Sequence, residues 1–214
     1  QPDPPSSTGG TGSSGGTPTL VRSATAFGTP GGTSVTATLA AAATAGNVLW
    51  CAVAFDKNPG TLTKPTGYTE VYSDLGASTG LWVGYKIAAG GETSATMSQT
   101  TTSIAGNNMW LAEYSATGTQ SWQLLASAHT ATDNNTATSW SSGTAPAPAF
   151  PGLALAFFAI DTGYNSTGTE TWTNSFTEVL GWDGTVDGPA AIAVGSKVIS
   201  DTTSTVETTH GHTG

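Results

Sequence analysis

The stretch TLTKPTGYTEV, at 61–71, returns more than a hundred residues later as TETWTNSFTEV, at 169–179, with no gap between the two. A shared TEV alone carries little weight in a Thr-rich chain, but three further pairs follow the same order. LVRSATA at 20–26 resembles LLASAHT at 124–130, VLWCAVAFD at 48–56 resembles LALAFFAID at 153–161, and VGYKIAAG at 83–90 resembles VGSKVISD at 194–201. The offset drifts only from 104 to 111 residues. The chain reads as an internal duplication with halves at about 19–116 and 121–214.

Within each half the pattern is β. Short apolar or alternating runs rich in Val, Thr and aromatics are separated by Gly, Asn, Asp and Pro clusters. The runs predict strands at 19–27, 33–39, 47–55, 68–73, 80–88, 93–98 and 107–115, then at 121–130, 136–141, 152–160, 176–182, 189–200 and 203–209. LAAAATAG at 39–46 is the one helix-like segment, and it is too short to stand alone. The fold class expected is all-β, an antiparallel double-sheet sandwich with almost no helix.

The repeat is uneven. The first half closes on the aromatic run NNMWLAEYSA at 107–116, whereas the second reaches TSTVETT and HGHTG without a counterpart. A sandwich short of its last strand exposes a groove and unpaired backbone groups. Two expectations follow: the strand belongs to sequence beyond that given, or a neighbouring chain donates it. Residues 1–18, QPDPPSSTGGTGSSGGTP, lack any apolar anchor and read as a flexible linker or arm. An opening Gln implies that something preceded it.

Composition narrows the function. The 214 residues carry a formal charge of −9, with one Arg and four Lys, and only 9% charged residues. A nucleic-acid binder needs a basic track to displace phosphate counterions, and this chain has none. An anionic membrane surface is disfavoured for the same reason, and no apolar run reaches the about 18 residues of a transmembrane helix. The single Cys51 excludes an internal disulfide framework and lies in VLWCAVAF, the context of a buried thiol.

A search for chemistry yields little. No GxSxG, HExxH or phosphate loop is present. His129 has no acid or Ser arranged beside it. His210 and His212, in THGHTG, are candidates for weak metal binding, set against the reading of a solvated Gly/Thr terminus. Glu113 lies on the aromatic strand, where burial would raise its pKa and an edge position would leave it in solvent. With no constellation in view, the chain is expected to be non-catalytic. Asp56, Asp183 and Asp187, in AFDKNPG and GWDGTVDG, could hold a structural calcium ion, though Asp-Gly is also ordinary turn chemistry. No other cofactor is indicated.

Seven Trp residues are the stronger signal. Trp50, Trp82 and Trp110 fall inside strands and suit the core. Trp122, Trp140, Trp172 and Trp182 have more polar neighbours, and an exposed indole face can stack on a sugar ring. Asn174, Glu170 and Asp183 lie near enough in sequence to add hydroxyl recognition. Trp172 also replaces Lys64 between the halves.

The phrases AGNVLWCAVAFDKNPGTLTKPTGYTEV, WVGYKIAAGGETSATM and WLAEYSATG resemble a jelly-roll, lectin-like β-sandwich domain recurring in structural proteins of actinobacterial tailed phages, with similar domains in some secreted bacterial proteins. The resemblance spans about residues 19–209. It implies a double-sheet architecture and a place on a virion surface or outside the cell, without implying an activity. Two functions are therefore expected. One is a capsid-decorating or tail-associated virion module that meets its own copies, or a capsid or tail protein, through β edges. The other is a secreted carbohydrate-binding module for a cell-surface or plant polysaccharide.

Overall fold

The computed structural model describes residues 17–55, 59–75, 79–102, 107–115, 139–148, 151–161, 169–181 and 190–213. Every regular element among them is a strand. In order these are β1 (Thr19–Phe27), β2 (Ser34–Thr38), β3 (Val48–Phe55), β4 (Leu62–Thr63), β5 (Thr69–Leu75), β6 (Gly80–Ile87) and β7 (Ser94–Gln99). They continue as β8 (Asn108–Ser115), β9 (Ser139–Ser141), β10 (Gly152–Asp161), β11 (Thr169–Trp172), β12 (Thr177–Leu180), β13 (Ala190–Ile199) and β14 (Thr209–Thr213).

The strands form four antiparallel sheets. Sheet I has the order β1-β8-β3-β6-β5, and sheet II the order β2-β7-β4. Sheet III runs β10-β13-β12, and sheet IV runs β11-β14-β9.

Alternation along the strands explains how the sheets stack. Leu49, Cys51, Val53 and Phe55 of β3 lie in one core with Val35 and Ala37 of β2 and Met97 of β7, which joins sheet I to sheet II. The intervening Val48, Ala52 and Ala54 lie instead with Ala190, Ile192 and Val194 of β13, which joins sheet I to sheet III. Ala191 and Ala193, on the other face of β13, pack with Phe158, Phe176 and Trp172 toward sheet IV. The layers therefore run II, I, III, IV. Both β3 and β13 are covered on two faces, which is why VLWCAVAF and AAIAV are continuous apolar runs rather than alternating ones.

Several elements differ from the sequence expectations. The Ala-rich segment 39–46 is not a helix. Its backbone is tied instead to the turn after β6, with Leu39 N donating to Thr93 O, Ala43 N to Glu92 O and Gly46 N to Ala88 O, at 2.7–2.9 Å. The two-residue β4 and the short β11 are not among the predicted strands, and both prove to be edge strands. Residues 210–213 of the HGHTG end, set against a solvated terminus from sequence, belong to β14, the central strand of sheet IV. Of the strand expected at 203–209, only a bridge between Val206 and Ala145 and the first residue of β14, Thr209, are strand-like. Residues 1–16 of the expected 1–18 arm, and the strand expected at 121–130, lie outside the described residues.

Candidate functional site

Among the described residues, a group of ionisable and aromatic side chains sits between sheets III and IV. β11 supplies Glu170 and Trp172, β12 Glu178, β14 His210 and β10 Phe158. The ladder places Trp172 opposite His210 and Glu170 opposite His212. Residues two apart in a strand share a face, so these four positions share one face of sheet IV.

His210 is fully buried, and its Nε2 lies 3.2 Å from Glu170 Oε2, whose side chain is 9% exposed. The imidazole is held between aromatic rings, with centroids 4.7 Å from Trp172 and 5.4 Å from Phe158. Trp172 Nε1 donates to Glu178 Oε2 at 3.4 Å. Burial, and then the neighbouring Glu170 carboxylate to which it is hydrogen-bonded, pushes the Glu178 carboxyl above the usual range. Two carboxylates in hydrogen-bond contact cannot straddle a sugar ring, since glycosidic cleavage wants them about 5–10 Å apart.

Trp172 is half-buried, in edge-on contact with Phe158 at 5.7 Å and resting against Gly195. Asn174 is occupied elsewhere. It and Ser175 adopt left-handed backbone, φ 55° and 63°, in the turn between β11 and β12. Its Nδ2 donates to Glu207 O at 3.1 Å. Trp140 lies on β9, across from His210. Trp122, Trp182 and the proposed calcium ligands Asp56, Asp183 and Asp187 lie outside the described residues. Among the described residues, no three His, Cys, Asp or Glu side chains are grouped to hold a metal ion.

No family model, curated protein or solved structure matches the chain.

Two other polar groups stand apart from this site, and of them only Glu113 was weighed from sequence. A cleft of about 490 Å³ opens beside sheet II, lined by Thr63, Lys64, Tyr68, Lys86, Glu92 and Thr96 among others. Lys86 bridges to Glu92 at 2.9 Å and lies over the Tyr68 ring. Lys64 bridges to Glu70 at 2.8 Å, and Glu70 also accepts from Trp82 Nε1 at 2.7 Å. The alternation of Lys and hydroxyl residues around PTGYTE was the available signal, but it resembles a solvated face.

The second group is buried. Glu113 takes the Arg22 guanidinium at 2.8 Å and accepts from Thr44 N at 2.9 Å and Asn47 Nδ2 at 2.5 Å. It is neither an edge carboxylate in solvent nor a bare buried acid. It anchors the 39–47 segment to sheet I.

Proposed function

We propose that the chain is a non-catalytic structural module of a virion surface, decorating a capsid or associated with a tail, which assembles through a strand edge. One observation carries the reading. β1 is one of the two outer strands of sheet I among the described residues, nine residues long, and it exposes Leu20, Val21 and Phe27 at 42%, 41% and 48%. Its one charge, Arg22, is spent on Glu113. Monomeric proteins blunt such edges with Lys, Pro or short strands. This one holds neither Lys nor Pro, and among the described residues its register shows a bulge between Leu20 and Arg22. The acidic, hydroxyl-rich surface suits a particle exterior.

The finer architecture proposed is a jelly-roll type sandwich built by duplication. Two correspondences support it. Sheet III has the order β10-β13-β12 where sheet I contains β3-β6-β5, and sheet IV runs β9-β14-β11 where sheet II runs β2-β7-β4. In addition, Glu70 pairs with Gly84, and Glu178 with Gly195, each followed by a register shift one step on.

The test is light scattering across a concentration series, with Val21→Lys and Phe27→Lys beside the parent chain. A defined oligomer that the Lys variants dissolve is the expected result. A monomer at every concentration would remove the edge-assembly reading. The second reading, a secreted carbohydrate-binding module, is favoured by the hydroxyl-lined cleft with Tyr68 in its wall. It predicts retention on an insoluble polysaccharide that Tyr68→Ala abolishes.

A further inference from the structure

Arg22, Lys64, Lys86 and Lys197 are the Lys and Arg side chains among the described residues, and two of them, Lys64 and Lys86, line one cleft of a chain whose formal charge is −9. The cleft exists because β4 is short. Its ladder with β7 sets Leu62 opposite Gln99 and Thr63 opposite Ser98, and the chain then leaves sheet II at Lys64 and Pro65. In TETWTNSFTEV the strand runs on instead, and Trp172, which stands where Lys64 does, is paired with His210 of β14. Among the described residues, no β4 partner faces Ser94–Met97 of β7. Backbone groups of an antiparallel strand point alternately to its two sides, so this stretch of β7 presents part of its backbone to the space that a longer β4 would fill. That space measures about 490 Å³, within the range of about 300–1,000 Å³ typical of small-molecule sites.

We propose that this cleft binds an acidic sugar, a uronate unit of a surface polysaccharide, through Lys64 and Lys86. The inference rests on the carbohydrate reading of the cleft and is independent of edge assembly through β1. Three features carry it. First, neither lysine is the sole donor to the carboxylate it touches. Glu70, which meets Lys64 at 2.8 Å, also accepts from Trp82 Nε1 at 2.7 Å. Glu92, 2.9 Å from Lys86, also accepts from the amides of Ala89 and Gly90 at 2.9 Å. An ammonium carries three donors, so each lysine can take up a ligand carboxylate while its present partner stays hydrogen-bonded. The Lys64 and Glu70 side chains are 45% and 35% exposed, and a pair so open to water is weak. Second, the hydroxyls of Thr63, Thr66, Ser94, Thr96 and Ser98 line the same cleft. Each both donates and accepts, as a sugar's own hydroxyls do. Ser94, Thr96 and Ser98 share one face of β7, and Thr96 Oγ1 is fixed by Thr36 Oγ1 at 2.8 Å. Third, the half-buried Tyr68 ring adjoins Lys86, whose Nζ lies 5.9 Å from its centroid. An aromatic ring beside an ammonium matches the C–H face and the carboxylate of one uronate.

The lining chooses the ligand. An acidic peptide or a free phosphate would use the ammonium groups and leave the hydroxyl row and the ring idle. A neutral sugar would use the row and the ring and gain nothing from the charges. A uronate uses all three. Because Lys64 is exposed, its share of the binding is screened by salt, over about 8–10 Å at ordinary ionic strength.

The test is a calorimetric titration of the full chain with tri-galacturonate and with its methyl ester, which keeps the rings and hydroxyls but removes the charge. Expected is saturable binding of the acid, tightest at low salt, with the ester weaker by about tenfold, the scale of one lost hydrogen bond to a charged group. Lys64→Gln, at an exposed position that leaves the core intact, should lose the preference for the acid. Thr96→Val, which keeps the shape of the side chain, should weaken acid and ester alike. Equal binding of acid and ester by the parent chain would overturn this inference and leave the carbohydrate reading standing. Binding of neither would remove the carbohydrate reading of the cleft along with it. A tetraglutamate peptide that binds as tightly as tri-galacturonate would also overturn the inference, since the cleft would then read charge alone. So would a Lys64→Gln protein that still prefers the acid.

Discussion

The indole of Trp172 rests on Gly195, and the indole of Trp82 rests on Gly84. Each ring also donates its Nε1 to the Glu of a TEV triplet, Glu178 in one case and Glu70 in the other. Trp82 reaches its glycine from two residues earlier on the same strand, whereas Trp172 reaches across from the facing sheet. The same seat is filled from two different places in the chain. A glycine is required because a Cβ would enter the ring at either site.

Alanine at the two glycines should therefore differ in cost. Trp82 is fully buried and cannot retreat, and the new Cβ at residue 84 would also press on Thr69 O at 2.9 Å. Gly84→Ala should lose about 1–3 kcal/mol, the usual penalty of overpacking. Trp172 is only half-buried, so its ring can tilt outward, and Gly195→Ala should cost less. Urea denaturation of the two variants decides the order. Equal losses would mean that the Trp172 ring is as confined as that of Trp82.

The TEV repeat, the strand alternation and the VG-x-K phrases made most of this layout legible from sequence, because burial on one face leaves a period of two. The stacking of sheet I on sheet III was not legible. A strand covered on both faces shows only a continuous apolar run, which says that something lies on each side but not what. The cluster around His210 was missed for a different reason. THGHT has no apolar residue, so its central place in sheet IV rests on pairing with β9 and β11, which local pattern does not encode. Glu113 on NNMWLAEYS was visible as a misfit, but its partners lie 66 to 91 residues away, at Arg22, Thr44 and Asn47.

Glu113 should be the most costly polar residue to remove. It is fully buried, while Arg22 is 23% exposed. Replacing Glu113 with Ala leaves Arg22, Thr44 N and Asn47 Nδ2 without their acceptor. Breaking a buried pair typically costs about 3–5 kcal/mol, and the partial access of Arg22 to water places the expected loss near the lower end. Local release should accompany the global effect, with the Thr44 amide losing protection from hydrogen exchange. Unchanged protection there would show that the segment is held by its backbone bonds alone.

Cys51 should behave as a reporter of complete unfolding. It is fully buried in the core between sheets I and II, and burial pushes its thiol well above the ordinary range. A thiol reagent at neutral pH should label native protein only at the rate of global opening. Labelling that stays fast under strongly native conditions would reveal local separation of sheet II from sheet I.

Glu92 supplies a pH dependence whose sign is fixed by its surroundings. The Lys86 ammonium lies 2.9 Å from Oε1, and the amides of Ala89 and Gly90 donate to the carboxylate at 2.9 Å. Lys86 first, then the Ala89 amide, hold the carboxyl down to about 2. A free Glu titrates near about 4.3, so the unfolded chain binds this proton first as acid is added. The stabilisation is thus present above pH of about 4.3 and is lost as pH falls toward 2. Solvent access at this pair keeps the effect small. Parent and Glu92→Gln proteins should therefore differ in Tm at pH 7, and the gap should close by pH 2. A gap that persists unchanged to pH 2 would show that the folded structure does not prefer the ionised carboxylate, and that the turn is held by its backbone bonds to Ala43 and Leu39.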